Sequence, residues 1–270
     1  MSIFEAALLG IVQGITEFLP VSSTAHLRIV PALLGWGDPG AAFTAVLQLG
    51  TLAAVLGFFA SDLLGMVRGT WAAIANPARR RDPEARLAAY VVLGTLPVVV
   101  LGVAFKHAIT GRLRALPVIA VAMIAVGVAL AIVEARASHR RAFEDIRLRD
   151  ALIIGAAQAL ALIPGVSRSG ITLLAAMALG LRRDAAARFS FLLSIPAIAG
   201  AGIFELKHVL HSDVGGVPLM VGLATSLVTG YAAIAWLLRF LRTRTTIPFV
   251  VYRIALGAVL LILIATGWRA

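Results

Sequence analysis

Apolar residues along this chain gather into runs, and the length of each run is the first thing to read. Six segments, at about 42–60, 87–105, 117–134, 187–206, 217–239 and 248–267, stay apolar over close to the roughly 20 residues a helix needs to cross a bilayer. Two further segments have apolar flanks and a polar middle. Residues 3–35 are cut by Leu19-Pro20-Val21-Ser22-Ser23-Thr24, and residues 151–180 by Ile163-Pro164-Gly165-Val166-Ser167-Arg168-Ser169. Each reads as two half-helices joined by a polar break. Irregular backbone at membrane depth survives only when buried in protein or lining a watery cavity. The pattern therefore predicts an all-α polytopic membrane protein, with six transmembrane helices plus two re-entrant helical hairpins.

The two breaks are related. At a constant offset of 145 residues, Gly10 matches Gly155, Gln13 matches Gln158, Val21 matches Val166 and Ser22 matches Ser167. Three candidate spans follow each break. Identity and element order together predict an internal duplication within one membrane domain, 1–270. Repeat 1 covers about 1–135, a cytoplasmic linker about 136–150, and repeat 2 about 151–270. If each hairpin returns to its own side, three spans per unit make the second copy inverted. Transporter folds use that plan, with the site where the broken segments meet.

Composition fits this class. The chain is 60% hydrophobic and 14% charged, with a mean hydropathy of +0.97; soluble domains are usually about half apolar and about a quarter charged. There is no cysteine, which excludes a disulfide framework and thiolate chemistry. The net charge of +11 marks topology and contacts to anionic lipid, not nucleic acid. Sixteen arginines, among them Arg68, the Arg79-Arg80-Arg81 run, Arg140, Arg141, Arg182 and Arg183, fall on one side of the predicted spans. Five basic residues, Lys106, Arg112, Arg114, Lys207 and Arg269, fall on the other. The positive-inside rule makes the first side cytoplasmic and puts both termini outside. The first hairpin then enters from the external face. No cleavable signal is read at the N-terminus, so the first apolar segment is expected to be retained.

Polar chemistry concentrates at the breaks. Gln13 and Glu17 are four residues apart and share a helix face, directed at the same space as Ser22, Ser23, Thr24 and His26. The second break offers Ser167, Arg168, Ser169 and Thr172. Each serine-rich turn starts a new half-helix, whose free N–H groups and partial positive charge favour phosphate. Two such ends with an arginine fork between them would cradle a diphosphate. Glu17 would repel phosphate, so it suits a divalent cation or a proton taken from a nucleophile.

Blander roles exist for several of these groups. Thr44, Thr95 and Ser226 are expected to bond back to their own helices. His26 alone could be a capping or interfacial residue, and Glu17–Arg168 a structural ion pair joining the hairpins. Gln158 reads as a helix–helix hydrogen-bonding residue. Arg253, beside Tyr252, is a phosphate contact, a carboxylate partner or a snorkelling side chain.

GIVQGITEFLPVSSTAH (Gly10 to His26) and PGVSRSGIT (Pro164 to Thr172) closely resemble the two signatures of the bacterial undecaprenyl-diphosphate phosphatase family, the BacA-type enzymes of bacitracin resistance. FTAVLQLGT (Phe43 to Thr51), FSFLLSIP (Phe189 to Pro196) and PFVVYR (Pro248 to Arg253) extend the similarity over nearly the whole chain. The motifs of the PAP2-type lipid phosphatases are absent. The resemblance implies hydrolysis of undecaprenyl diphosphate to the monophosphate and inorganic phosphate, recycling the lipid carrier for peptidoglycan. It also implies a divalent cation (Mg²⁺ or Ca²⁺) and a site on the external side of the bacterial inner membrane. The family's first signature has Glu or Gln at its first position; here it is Gln13, so only one carboxylate remains.

On these parts Glu17, Ser23, His26 and Arg168 are the candidate catalytic residues. Gln13, Ser22, Thr24, Ser167, Ser169, Thr172 and Arg253 are candidate substrate contacts, and Glu17 with Gln13 the candidate metal ligands. The nucleophile is Ser23 or a water. Partners are the lipid diphosphate, the membrane and, as an assembly, a second copy in a homodimer. The competing reading is a polyprenyl-phosphate flippase that uses the same inverted-repeat site.

Overall fold

The computed structural model describes residues 1–105, 112–210 and 215–267; Lys106 and Arg269, used above for topology, lie outside them. Eleven α-helices and no strand occur among the described residues. They are α1 Ile3–Phe18, α2 Ser23–Leu34, α3 Gly40–Phe58, α4 Ala60–Ala75, α5 Pro83–Ala104, α6 Leu116–Arg136, α7 Leu148–Gln158, α8 Arg168–Ala178, α9 Arg183–Leu210, α10 Gly216–Leu241 and α11 Ile247–Ala265. Six of them, α3, α5, α6, α9, α10 and α11, are long and apolar enough to cross a membrane. These are the six predicted spans, so the chain is an all-α polytopic membrane protein.

Helix α4 was not expected. Its Asp62, Gly65, Arg68 and Gly69 interrupt the apolar run, yet Leu64, Val67, Trp71 and Ile74 recur at helical spacing and are exposed, Trp71 by 74%. That outward stripe follows α3 after a break at Phe59 and packs beside the start of α5.

The two predicted breaks are real interruptions. Helices α1 and α2 fold back on each other, and Phe4 meets Trp36 edge-on with ring centroids 6.2 Å apart. Helices α7 and α8 do the same, α7 ending in a 3-10 turn, Ala159–Leu162. Their open end is closed by Arg141, which bonds the Leu179 carbonyl at 2.9 Å and pairs with Asp150.

Ion pairs fix which helix ends share a face. Arg114 bonds Asp38 at 2.7 Å, so α3 and α6 begin at one end of the molecule. At the other end Glu134, closing α6, accepts from Arg183 of α9 at 2.8 Å and from Thr246, which precedes α11, at 2.7 Å. Arg188 reaches Asp62 at 2.5 Å on that same side.

Helices from the two halves of the chain interlock. Helix α1 packs on α10, and α7 packs on α5. Both crossings run through the glycines that match at offset 145. A Cβ built on Gly10 would stand 2.3 Å from the Gly222 carbonyl oxygen, and one on Gly155 would stand 2.0 Å from that of Gly94. Without side chains the backbones approach closely, the usual route to tight helix contact in lipid. Thr225 adds a bond to the Ala7 carbonyl at 3.2 Å. Thr44 and Thr95 bond back to Gly40 and Val91 as expected. Ser226 does not: its hydroxyl crosses to the Leu47 carbonyl of α3 at 3.2 Å, because the small face of α10 brings that carbonyl within reach.

Candidate active site

Local backbone brings the site about. Ser22 and Ser167 are the N-caps of α2 and α8, and each accepts from the N–H three residues on. Both adopt a conformation that suits glycine: φ 76°, ψ 95° at Ser22 and φ 72°, ψ 115° at Ser167. Among the described residues His139 is the other non-glycine with positive φ. Such backbone costs on the order of 1–3 kcal/mol and persists only where surroundings over-determine it.

Arg253 supplies the surroundings. Fully buried on α11, it donates through Nη1 to the Pro20 carbonyl at 3.0 Å, and through Nη2 to those of Gly165 and Val166 at 2.9 Å each. Its Nε reaches Met123 of α6 at 3.3 Å. One guanidinium thus holds the carbonyls of both breaks. Ser169 adds a second tie, donating to the Leu19 carbonyl at 2.9 Å.

Between the breaks lies a cavity of about 130 Å³. Six predicted residues line it: Glu17, Ser22, Ser23, Thr24, Ser167 and Arg168. Glu17 is the hub. Its Oε1 accepts from Arg168 Nη2 at 2.6 Å, and its Oε2 from Gln13 Nε2 at 2.8 Å and from Ser23 Oγ at 2.5 Å. A hydroxyl donating to a buried carboxylate is the geometry of a nucleophile beside its base. Two hydroxyl pairs follow the breaks, Ser22 with Thr24 and Ser167 with Ser169, each at 3.1 Å; of these four Ser169 alone, expected as a substrate contact, does not line the cavity. Arg168 Nη1 and Gln13 Oε1 are buried without a hydrogen-bond partner. Orphans of that kind cost about 1–3 kcal/mol each and call for an explanation.

Four more expected residues stand elsewhere. His26 is bonded on both ring nitrogens, to the Ser22 carbonyl at 2.7 Å and to the Tyr252 hydroxyl at 2.6 Å, and stacks on that ring. Thr172 faces Ser190 of α9 at 2.6 Å. Arg253 meets carbonyls where a phosphate or a carboxylate partner was expected, since its four bonds use the donors that a ligand would need. Gln13 stands behind Glu17, fully buried, instead of on the cavity wall. Two residues were not put forward for the site. Gln48 of α3 and Gln158 of α7 line the cavity, and both polar atoms of Gln158 lack partners, where a helix–helix bond was expected. Its match to Gln13 at offset 145 was the available signal.

A divalent cation can be tested against these donors. No group of three His, Asp or Glu gathers anywhere among the described residues, so no all-protein cage exists. One carboxylate, Glu17, does line the cavity; Gln13 turns its Nε2 to it, leaving its amide oxygen unpartnered behind the wall. Magnesium is commonly held by one or two carboxylates together with substrate phosphate. Glu17 fits such a cation as its one protein carboxylate, and Gln13 does not reach the cavity to join it.

Comparison with known proteins converges on one family. Residues 6–259 match the family described as "Bacitracin resistance protein BacA". The "Undecaprenyl-diphosphatase" of Myxococcus xanthus is 55% identical over 99% of this chain and 91% of its own length. Proteins of the same name from a Nocardioides species and from Synechococcus elongatus are each 50% identical, over 97% and 99% of this chain and 97% and 95% of their own.

Proposed function

We propose that this chain, which belongs to the BacA family of bacitracin resistance proteins, is an undecaprenyl-diphosphatase: it hydrolyses undecaprenyl diphosphate to undecaprenyl phosphate and inorganic phosphate. The observation that carries the reading is the Ser23–Glu17–Arg168 chain of bonds at the wall of a cavity between two helix N-termini. Nothing in the site favours lipid transport instead.

The proposed reaction uses these parts in order. The terminal phosphate enters between the α2 and α8 N-termini, and Arg168 exchanges the Glu17 carboxylate for phosphate oxygens, bidentate where Nη1 also engages. Released from Arg168, Glu17 accepts the proton of the Ser23 hydroxyl that already donates to it. Ser23 Oγ bonds to phosphorus as the bridging P–O bond breaks. Glu17 passes its proton to the departing lipid phosphate; it then takes another from the water that attacks the phosphoserine and returns it to Ser23 Oγ as that P–O bond breaks. A divalent cation, which Glu17 would hold together with the substrate phosphate, would neutralise developing phosphate charge. Positioning and charge neutralisation carry most of the rate enhancement in phosphoryl transfer generally.

His26 becomes a positioning residue in this scheme, holding the Ser22 carbonyl so that Ser23 faces Glu17. The matched breaks and interlocked helices support an inverted repeat, and the arginine bias supports an external-facing site in a bacterial inner membrane. A homodimer remains a proposal of the sequence alone.

The test is phosphate release from detergent-solubilised protein given farnesyl or undecaprenyl diphosphate with Mg²⁺ or Ca²⁺. Steady release is expected, lost on chelation. No release by folded protein would overturn the reading.

A further inference from the structure

Gln158 is the least explained polar group near the cavity. It is 0% exposed, and neither its Nε2 nor its Oε1 has a partner. A glutamine that merely joined two helices would be bonded across the contact. This one is not, although it lines the same cavity as Glu17, Ser23 and Arg168. Leaving two polar atoms unsatisfied in a dry interior is costly, and substitution by leucine would remove the cost.

Its placement is also rigid. Gln158 is the last residue of α7, where the helix tightens into the 3-10 turn. Three residues earlier Gly155 presses on the Gly94 backbone of α5, so α7 cannot roll or slide at this level. Gln13 is held alike, three residues after the Gly10 contact with α10. The two amides are therefore presented from opposite repeats by the same device. Gln13 spends its N–H on Glu17. Gln158 has no carboxylate to serve, because position 162, which matches Glu17 at offset 145, is leucine.

From this we infer that Gln158 is a substrate-binding residue whose carboxamide N–H donates to a phosphoryl oxygen of the diphosphate, on the wall of the cavity formed by the second repeat. The inference rests on the diphosphatase reading above. The ligand chemistry is an anionic oxygen with lone pairs to spare, and Arg168 Nη1 provides a second unpartnered donor on that wall. The amide adds a hydrogen bond without adding charge, so it favours the diphosphate without binding the monophosphate product as a second cation would.

Gln158→Leu and Gln158→Glu, assayed beside the wild type on farnesyl diphosphate, test this. Gln158→Leu is expected to lower kcat/KM about 10- to 100-fold, the loss of one hydrogen bond to a charged group. Its Tm should equal or exceed the wild type's. The rise in Tm given by methylenediphosphonate, a diphosphate that cannot be cleaved, should shrink. Gln158→Glu keeps the shape but repels phosphate; its activity relative to wild type should climb as pH falls, because protonation restores a donor. A Gln158→Leu variant with wild-type kcat/KM and an unchanged methylenediphosphonate shift overturns the inference while leaving the phosphatase reading intact. If Gln158→Leu fails to fold, a pH-independent ratio for Gln158→Glu overturns it instead. A wild type that releases no phosphate overturns the phosphatase reading, and this inference with it.

Discussion

The two breaks share a backbone and differ in chemistry. Each has a strained serine N-cap, a tight glycine crossing, and a buried glutamine one turn beyond that glycine. At offset 145, however, Ser23 stands where the second break has Arg168, Glu17 where it has Leu162, and His26 where it has Ile171. The position that starts α2 carries a hydroxyl, and the one that starts α8 carries a guanidinium. In the proposed reading the matched parts form a two-sided cradle for phosphate, and the unmatched ones put the proton chemistry on one side and the charge on the other. Symmetry accounts for the binding and asymmetry for the proposed turnover.

That comparison can be broken most severely at Glu17, which has no counterpart. Glu17→Gln keeps the shape but removes the base and the charge that pairs with Arg168, so kcat should fall about a thousandfold or more, with a lowered Tm reporting the lost ion pair. Exchanging the matched residues, Ser23→Arg with Arg168→Ser, should be as damaging, because the transplanted serine would face Leu162. Activity in that double variant would show the breaks to be interchangeable.

Arg253→Met addresses what they share. It leaves the carbonyls of Pro20, Gly165 and Val166 without their donor, and a loss of about 3–5 kcal/mol is expected, read as Tm in detergent. Gly10→Ala and Gly155→Ala should each cost about 1–3 kcal/mol through overpacking. Similar values would confirm equivalent crossings, and a difference beyond about 1 kcal/mol would mark one as the looser. The smallest effect is expected from Gln13→Glu: activity persists, with altered metal or pH dependence measured in the release assay.

Much of this was legible beforehand, for a physical reason. Hydrocarbon solvates no polar group, so six spans and two interruptions stand out as gaps in apolar runs. Ser22, Ser23, Thr24, Glu17, Ser167 and Arg168 were legible for the same reason. The role of Arg253 was not, because its partners are carbonyls, which every residue carries and no sequence displays. Gln158 misled because a lone amide on an apolar helix looks alike whether it bonds a neighbouring helix or faces a cavity. Serine is ordinary at an N-cap, so nothing marked Ser22 and Ser167 as lying at positive φ. Helix α4 was lost between glycines and charges that broke its run without breaking its helical spacing.

The staple has one more consequence, in time. The guanidinium that closes both breaks sits at residue 253 of 270, in the last helix. During synthesis the first break is made well before its partner, and α11 follows both. Neither can be drawn into its final shape until the final span has been threaded and docked. A nascent or truncated chain that lacks α11 therefore carries every cavity-lining side chain without the staple that holds the two breaks together.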